Sequence, residues 1–378
     1  MNTGKQFFTA LEALRGIAAI MVMFLHTGGT LGPIPVNISY LAVDLFFLLS
    51  GVVLANSYER QLATRQISPG GFLLQRIIRL YPVYLLALPV GLVSYAVQFG
   101  LDYRTLAGLL LRAILFIPNA GTGGAFPLNG PSWSLFFELW AGVLFSVLLV
   151  RLSSRILLAI ALGTAGITLY GALGGNFDIG HQAGYFGFGF SRILFSFSLG
   201  ICLHRLYELR TPHAAKRGNT IGIFLCGCLI VITNIPANTF YGFPYFDLFM
   251  CLVIFPAIVW IAMRTRQTGL VELVFRWLGI VSYPIYILHA PIFELLHLLR
   301  QRGFDLPASP AAGMVVVIAI FILASVVAIR FDEPVRKKLK MMVAPSPVSK
   351  VTSESQAGRL NLTPVRGRPS PILPESPP

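Results

Sequence analysis

Apolar runs recur along this chain at roughly 9–29, 38–58, 79–99, 132–150, 156–173, 185–206, 219–235, 246–263, 274–297 and 312–330. Each comes close to the ~20 residues that a helix needs to cross a bilayer core of about 30 Å. Few folds are open to such a chain, because in lipid every backbone N–H and C=O must find its partner within the protein. The expected fold is all-α: a polytopic membrane helix bundle of about ten transmembrane helices. Composition agrees, since only 12% of residues are charged, about half the share of a soluble domain.

The net charge is +14, from 29 Lys+Arg against 15 Asp+Glu. Nucleic-acid binders carry such an excess as a patch on a polar domain; here it lies between apolar runs and reads as topology, with no nucleic-acid partner implied. With the N-terminus cytoplasmic, the inner segments up to residue 340 hold 19 Lys+Arg, including Arg60, Arg65, Arg76, Arg79, Arg205 and Arg276. The outer segments hold four, Arg104, Arg112, Arg300 and Arg302. That bias predicts ten spans with both N- and C-termini cytoplasmic. The stretch 105–117 is apolar but short and carries Arg112, so an interfacial or re-entrant helix is expected there. The first run holds Arg15 and lacks a small-x-small cleavage site, so it reads as a retained membrane helix. Residues 1–340 are expected to form one membrane domain, and 341–378, rich in Pro and Ser, a disordered cytoplasmic tail. Cys202, Cys226, Cys228 and Cys251 lie in apolar runs at spacings unsuited to zinc, and no metal is expected.

Ionisable side chains inside spans are costly, and each is a functional hypothesis. Arg15 and His26 are eleven residues apart, about three turns or ~16 Å, and return to nearly the same helix face. Asp44, Glu138 and His289 fall at a similar depth, which makes two His and two carboxylates available for acid/base chemistry. Each also has a structural reading: Asp44 and Glu138 as interhelical glue, His26 as a structural hydrogen-bonding residue, and His289 as a cap or anchor at the outer interface. Arg192 is expected to pair with Asp178 or Asp247. Arg76 and Arg79, at i and i+3, share a face and suit phosphate, or are an ordinary positive flank. Glu333, beside Arg336-Lys337-Lys338, suggests a specific ion pair. Asn37-Ile38-Ser39 matches a glycosylation sequon, a pattern common by chance.

In order, Arg15-x10-His26, Phe46-Phe47-x-x-Ser50-Gly51, Arg76-x-x-Arg79-Leu80-x-Pro82-x-Tyr84, Trp133-Ser134-Leu135-x-x-Glu138, Ser282-Tyr283-x-x-Tyr286-x-Leu288-His289 and Phe331-x-Glu333-Pro334-x-Arg336 resemble the acyltransferase-3 family. Its members are integral-membrane enzymes that O-acylate sugars and polysaccharides. The resemblance implies an acyl-CoA donor, acetyl-CoA in the usual case, used from the cytoplasm, and a carbohydrate acceptor hydroxyl on the far side of the cell (inner) membrane. It also implies His26 as the central catalytic residue and the loop arginines Arg76 and Arg79 as donor-binding. Ser50, Trp133, Ser134, Tyr283, His289, Glu333 and Arg336 fall in motifs that serve substrate or structure.

On this reading neutral His26 takes the proton of a sugar hydroxyl attacking the thioester, and Asp44 or Glu138 orients the imidazole. An acyl-histidine intermediate is the competing version. Arg15, Arg76 and Arg79 meet the CoA phosphates, or Arg15 holds the entrance through Glu12. The rival is a multi-pass transporter or proton-coupled solute carrier, in which the same His, Asp and Glu residues carry protons. It predicts inverted repeats, and the two halves show no such similarity.

Overall fold

The computed structural model describes residues 7–27, 38–119, 124–210, 216–235, 243–304 and 309–343. Asn37 of the sequon and the tail from residue 344 lie outside them. The described residues are helical apart from loops and a two-residue parallel pairing of Lys216–Arg217 with Thr265–Arg266. In order come α1 (Thr9–Leu25), α2 (Ala42–Ala63), α3 (Pro69–Phe99), α4 (Tyr103–Ile114), α5 (Ser132–Val147), α6 (Ser154–Ala172), α7 (Phe188–Arg210), α8 (Asn219–Thr233) and α9 (Pro244–Met263). They are followed by α10 (Gly269–Gln301), α11 (Pro310–Val326), a π-helical stretch Val327–Asp332, and α12 (Glu333–Val343). Met1–Arg336 forms one compact unit; the described residues of the second, from Lys337 to Val343, are helical.

Among the described residues, six helices are long and apolar enough to cross a membrane: Ile38–Ala63, Pro69–Phe99, Ser154–Ala172, Pro244–Met263, Gly269–Gln301 and Pro310–Val343. The other expected spans are shorter or more polar. α5 and α8 are apolar but have 16 and 15 residues, α1 has 17 and carries Glu12 and Arg15, and α7 carries Arg192 and Arg205. The stretch expected to lie at the interface is α4, a separate helix of 12 residues of which only Ala113 is buried.

The helix boundaries follow local chemistry. Ser68 caps α3 by accepting from Gly71 N at 3.1 Å, with Pro69 at the first position, and Asp102 caps α4 through Arg104 N and Thr105 N. Side-chain caps of this kind satisfy N–H groups that the helix leaves open. Packing then relies on closeness, because lipid is as apolar as the side chains that face it. α1 lies on α10 and α2 on α7. A Cβ at Gly16 would stand 2.7 Å from Leu278 O, and one at Gly51 would collide with Phe197 O. Pro291, inside α10, has no N–H for Ile287 O; Asn129 Nδ2 donates to that carbonyl instead, at 3.0 Å.

Candidate active site

α1 ends at His26, and the way it ends sets the chemistry of that ring. The last carbonyls of a helix lack intrahelical partners. The His26 backbone N–H turns to Met23 O at 3.2 Å, so Val22 O is left for the side chain, and His26 Nδ1 donates to it at 2.8 Å. On α10, His289 Nδ1 donates to Ile285 O at 3.0 Å. Its Nε2 is therefore a lone pair, 3.3 Å from His26 Nδ1, and the His26 proton is shared between Val22 O and His289. The two ring centroids are 4.9 Å apart. With Nδ1 acting as donor, His26 Nε2 carries the available lone pair. His289 is fully buried, whereas His26 is exposed.

A cavity of about 540 Å³ opens beside the other end of α1. Five arginines line it, Arg15, Arg76, Arg79, Arg276 and Arg336. Four are held by carboxylates: Arg15 by Glu12, Arg76 by Glu138, Arg276 by Glu272 at 2.6 Å and Arg336 by Asp332 at 2.8 Å. Among the described residues Arg79 is the lining arginine with no carboxylate within 4.0 Å. Arg15 is further tied to α10, donating through Nε to Ser282 Oγ and through Nη2 to Gly279 O, both at 3.1 Å. Ser50 Oγ donates to Glu138 Oε1 at 2.8 Å, the oxygen that Arg76 also contacts. The Tyr283 hydroxyl donates to Leu80 O, joining α10 to α3. Along α10 the lining runs from Arg276 to Tyr286, and the Tyr286 ring lies 6.0 Å from that of His289. The cavity thus ends one ring away from the histidine pair.

Asp44 lies elsewhere. It is buried against Arg192, whose Nε and Nη2 donate to the carboxylate at 2.9 and 2.7 Å. Arg192 also donates to Ile179 O at 2.9 Å and Tyr40 O at 3.1 Å, and its guanidinium stands 5.4 Å from the Trp133 ring. Asp247, one of the partners expected for Arg192, instead accepts from Tyr40 Oη at 3.1 Å and Phe177 N at 2.9 Å. Asp178, the other, lies 3.6 Å from His181. His181 follows α6 in a loop, its ring 6.2 Å from Trp133. Burial holds its pKa below the usual histidine range against the pull of Asp178, and the charge of Arg192 pushes the same way as burial.

A family model for an acyltransferase domain matches residues 8–330. The chain belongs to the acyltransferase-3 family. It is also similar to "Protein 2 in picA locus" of Rhizobium radiobacter, with 40% identity over 148 residues, which cover 35% of this chain and 77% of that protein. No solved structure matches it.

In this acyltransferase-3 chain, Arg15, Ser50, Arg76, Arg79, Ser134, Glu138, Tyr283 and Arg336 share one cavity, and His26 and His289 meet beyond its Tyr286 end. Asp44 and Trp133 belong to the Arg192 cluster instead. The contact that His26 Nδ1 makes outside its own helix is with His289, where Asp44 or Glu138 was the expected partner. Glu333 is exposed; the ion pair expected of it is made by its neighbour Asp332 with Arg336. Among the described residues no group of three or more His, Cys, Asp or Glu is placed to hold a metal. Arg276 at the cavity mouth, its guanidinium 4.3 Å from the Phe7 ring, read in the sequence only as a topological charge. Tyr286 stood in a motif without being singled out, and His181 left no signal at all.

Proposed function

We propose that the protein is an integral-membrane O-acyltransferase that moves an acyl group, acetyl in the first instance, from cytoplasmic acyl-CoA to a hydroxyl of a cell-surface sugar. One observation carries the reading: an arginine-lined cavity ends a single aromatic ring away from a histidine pair whose outer member is exposed. The donor phosphates go to the arginines, with Arg79 placed to donate to them bidentately, and the pantetheine arm runs toward Tyr286. His26 Nε2 takes the proton of the acceptor hydroxyl as it attacks the thioester carbon. His289 and Val22 O together fix the imidazole, the part expected of Asp44 or Glu138. Glu138 serves the donor side through Arg76. The chain crosses the inner membrane ten times with both ends cytoplasmic, which puts the cavity on the side where CoA is found.

The test is release of free thiol from acetyl-CoA by purified protein supplied with cell-surface glycan, paired with mass spectrometry of that glycan for the added acyl mass. His26→Ala should abolish both signals. Turnover by His26→Ala at the wild-type rate would overturn the assignment, and a transporter would release no thiol from either protein.

A further inference from the structure

Tyr286 and Ser134 are buried hydroxyls, 7% and 6% exposed, yet both line the cavity at the end nearest the histidines. Their oxygens are 2.7 Å apart. Ser134 Oγ donates to Pro131 O at 3.0 Å, which leaves the Tyr286 proton to Ser134 Oγ as its near acceptor, with Pro131 O at 3.5 Å as its other one. The Tyr286 ring is held on two sides, by Phe46 at 5.3 Å and by His289 at 6.0 Å, both edge-to-face. A phenol pinned in this way keeps one free motion, rotation of its O–H. If that proton turns into the cavity, Ser134 can donate to the Tyr286 oxygen in place of Pro131 O, and no buried donor is stranded. Ser134 also lies in the first turn of α5, the positive end of the helix dipole. Phe46 and Leu135 line the same end, and a donor in such apolar surroundings is worth more than one in water.

We propose that Tyr286, backed by Ser134, holds the oxyanion of the acyl transfer; this rests on the cavity being the donor site. As the acceptor oxygen bonds to the thioester carbon, its proton passes to His26 Nε2 and the carbonyl electrons move onto oxygen, where the Tyr286 O–H binds the charge. Collapse restores C=O and breaks the C–S bond, and the departing thiolate takes the proton back from His26. The products are the ester and free CoA thiol.

The role can be tested without knowing the acceptor. The probes are S-ethyl-CoA, whose thioether has no acyl carbonyl, and trifluoroacetonyl-CoA, whose ketone hydrates to a tetrahedral adduct; the readout is equilibrium binding to purified full-length protein in detergent. Wild type should prefer the second compound by about 10- to 100-fold, the range of a hydrogen bond to charge. Tyr286→Phe should lose that preference with S-ethyl-CoA affinity unchanged, and Ser134→Ala should lose part of it. A preference intact in Tyr286→Phe overturns the proposal. If wild type binds S-ethyl-CoA without preferring the adduct, the donor site stands and the oxyanion role falls; if it binds neither compound, both fall. Should Tyr286→Phe fail to fold, Ser134→Ala decides: reduced preference supports the role, and full preference ends it.

Discussion

Two of the arginine–carboxylate pairs, Arg192–Asp44 and Arg76–Glu138, are built to opposite ends. Arg192–Asp44 is closed: both side chains are fully buried, the guanidinium spends its donors on Asp44, Tyr40 O and Ile179 O, and Trp133 covers its face. Arg76–Glu138 is open: Glu138 is 24% exposed, both residues line the cavity, and Arg76 Nε is buried without a partner. A fully buried charge pair whose guanidinium nitrogens are all hydrogen-bonded can hold helices but has little to offer a substrate. One with unused hydrogen-bonding capacity facing a cavity can exchange partners when an anion arrives. The acid/base carboxylates expected from the sequence therefore divide into a clamp and a candidate site.

The largest effect should come from breaking the clamp. Asp44→Ala leaves Arg192 charged and uncompensated in the interior, and such losses cost about 3–5 kcal/mol. Thermal unfolding in detergent should show a large drop, and Asp44→Leu with Arg192→Met should recover much of it, because an apolar pair needs no compensation. A Glu138→Gln change should separate the two pairs cleanly. Its stability cost should stay within about 1 kcal/mol, as for a partly exposed pair, while, with the cavity as the proposed donor site, the apparent KM for acetyl-CoA should rise as Arg76 loses its orientation. A Glu138→Gln protein as unstable as Asp44→Ala would erase the distinction.

The sequence showed which residues are apolar, which helices they make and which ionisable groups are out of place, because these depend on local composition and the helical period. It could not show which out-of-place groups meet. Arg192 and Asp44 are separated by 148 positions and His26 and His289 by 263, and periodicity assigns a residue to a face of its own helix, not to a neighbour. The two acids nearer Arg192 in sequence, Asp178 and Asp247, were reasonable partners on proximity alone. The geometry that displaced them is the α2–α7 contact, close because Gly51 and Gly200 meet backbone. The Arg15–His26 spacing was legible as one face, and the structure gives that face two ends: Arg15 in the cavity, His26 at the helix terminus, with Tyr286 and His289 of α10 between the cavity and the exposed ring.

The smallest effect concerns how far the closed pair is felt. His181, in the loop after α6, has its pKa lowered by burial, and the charge of Arg192 adds to this against the pull of Asp178. The unfolded chain protonates this histidine near pH 6.5, and the folded protein only at lower pH. Between those two values the unfolded state holds the extra proton, so stability falls as pH drops from about 7 through this window. Melting temperatures measured across it should decline less steeply in His181→Gln than in wild type. Arg192→Met paired with Asp44→Leu should flatten the slope in part, since one of the opposing charges is gone while burial remains. An equal change from Glu138→Gln would mean that the slope reports the cavity, and that the Arg192 cluster is electrostatically silent toward its loop.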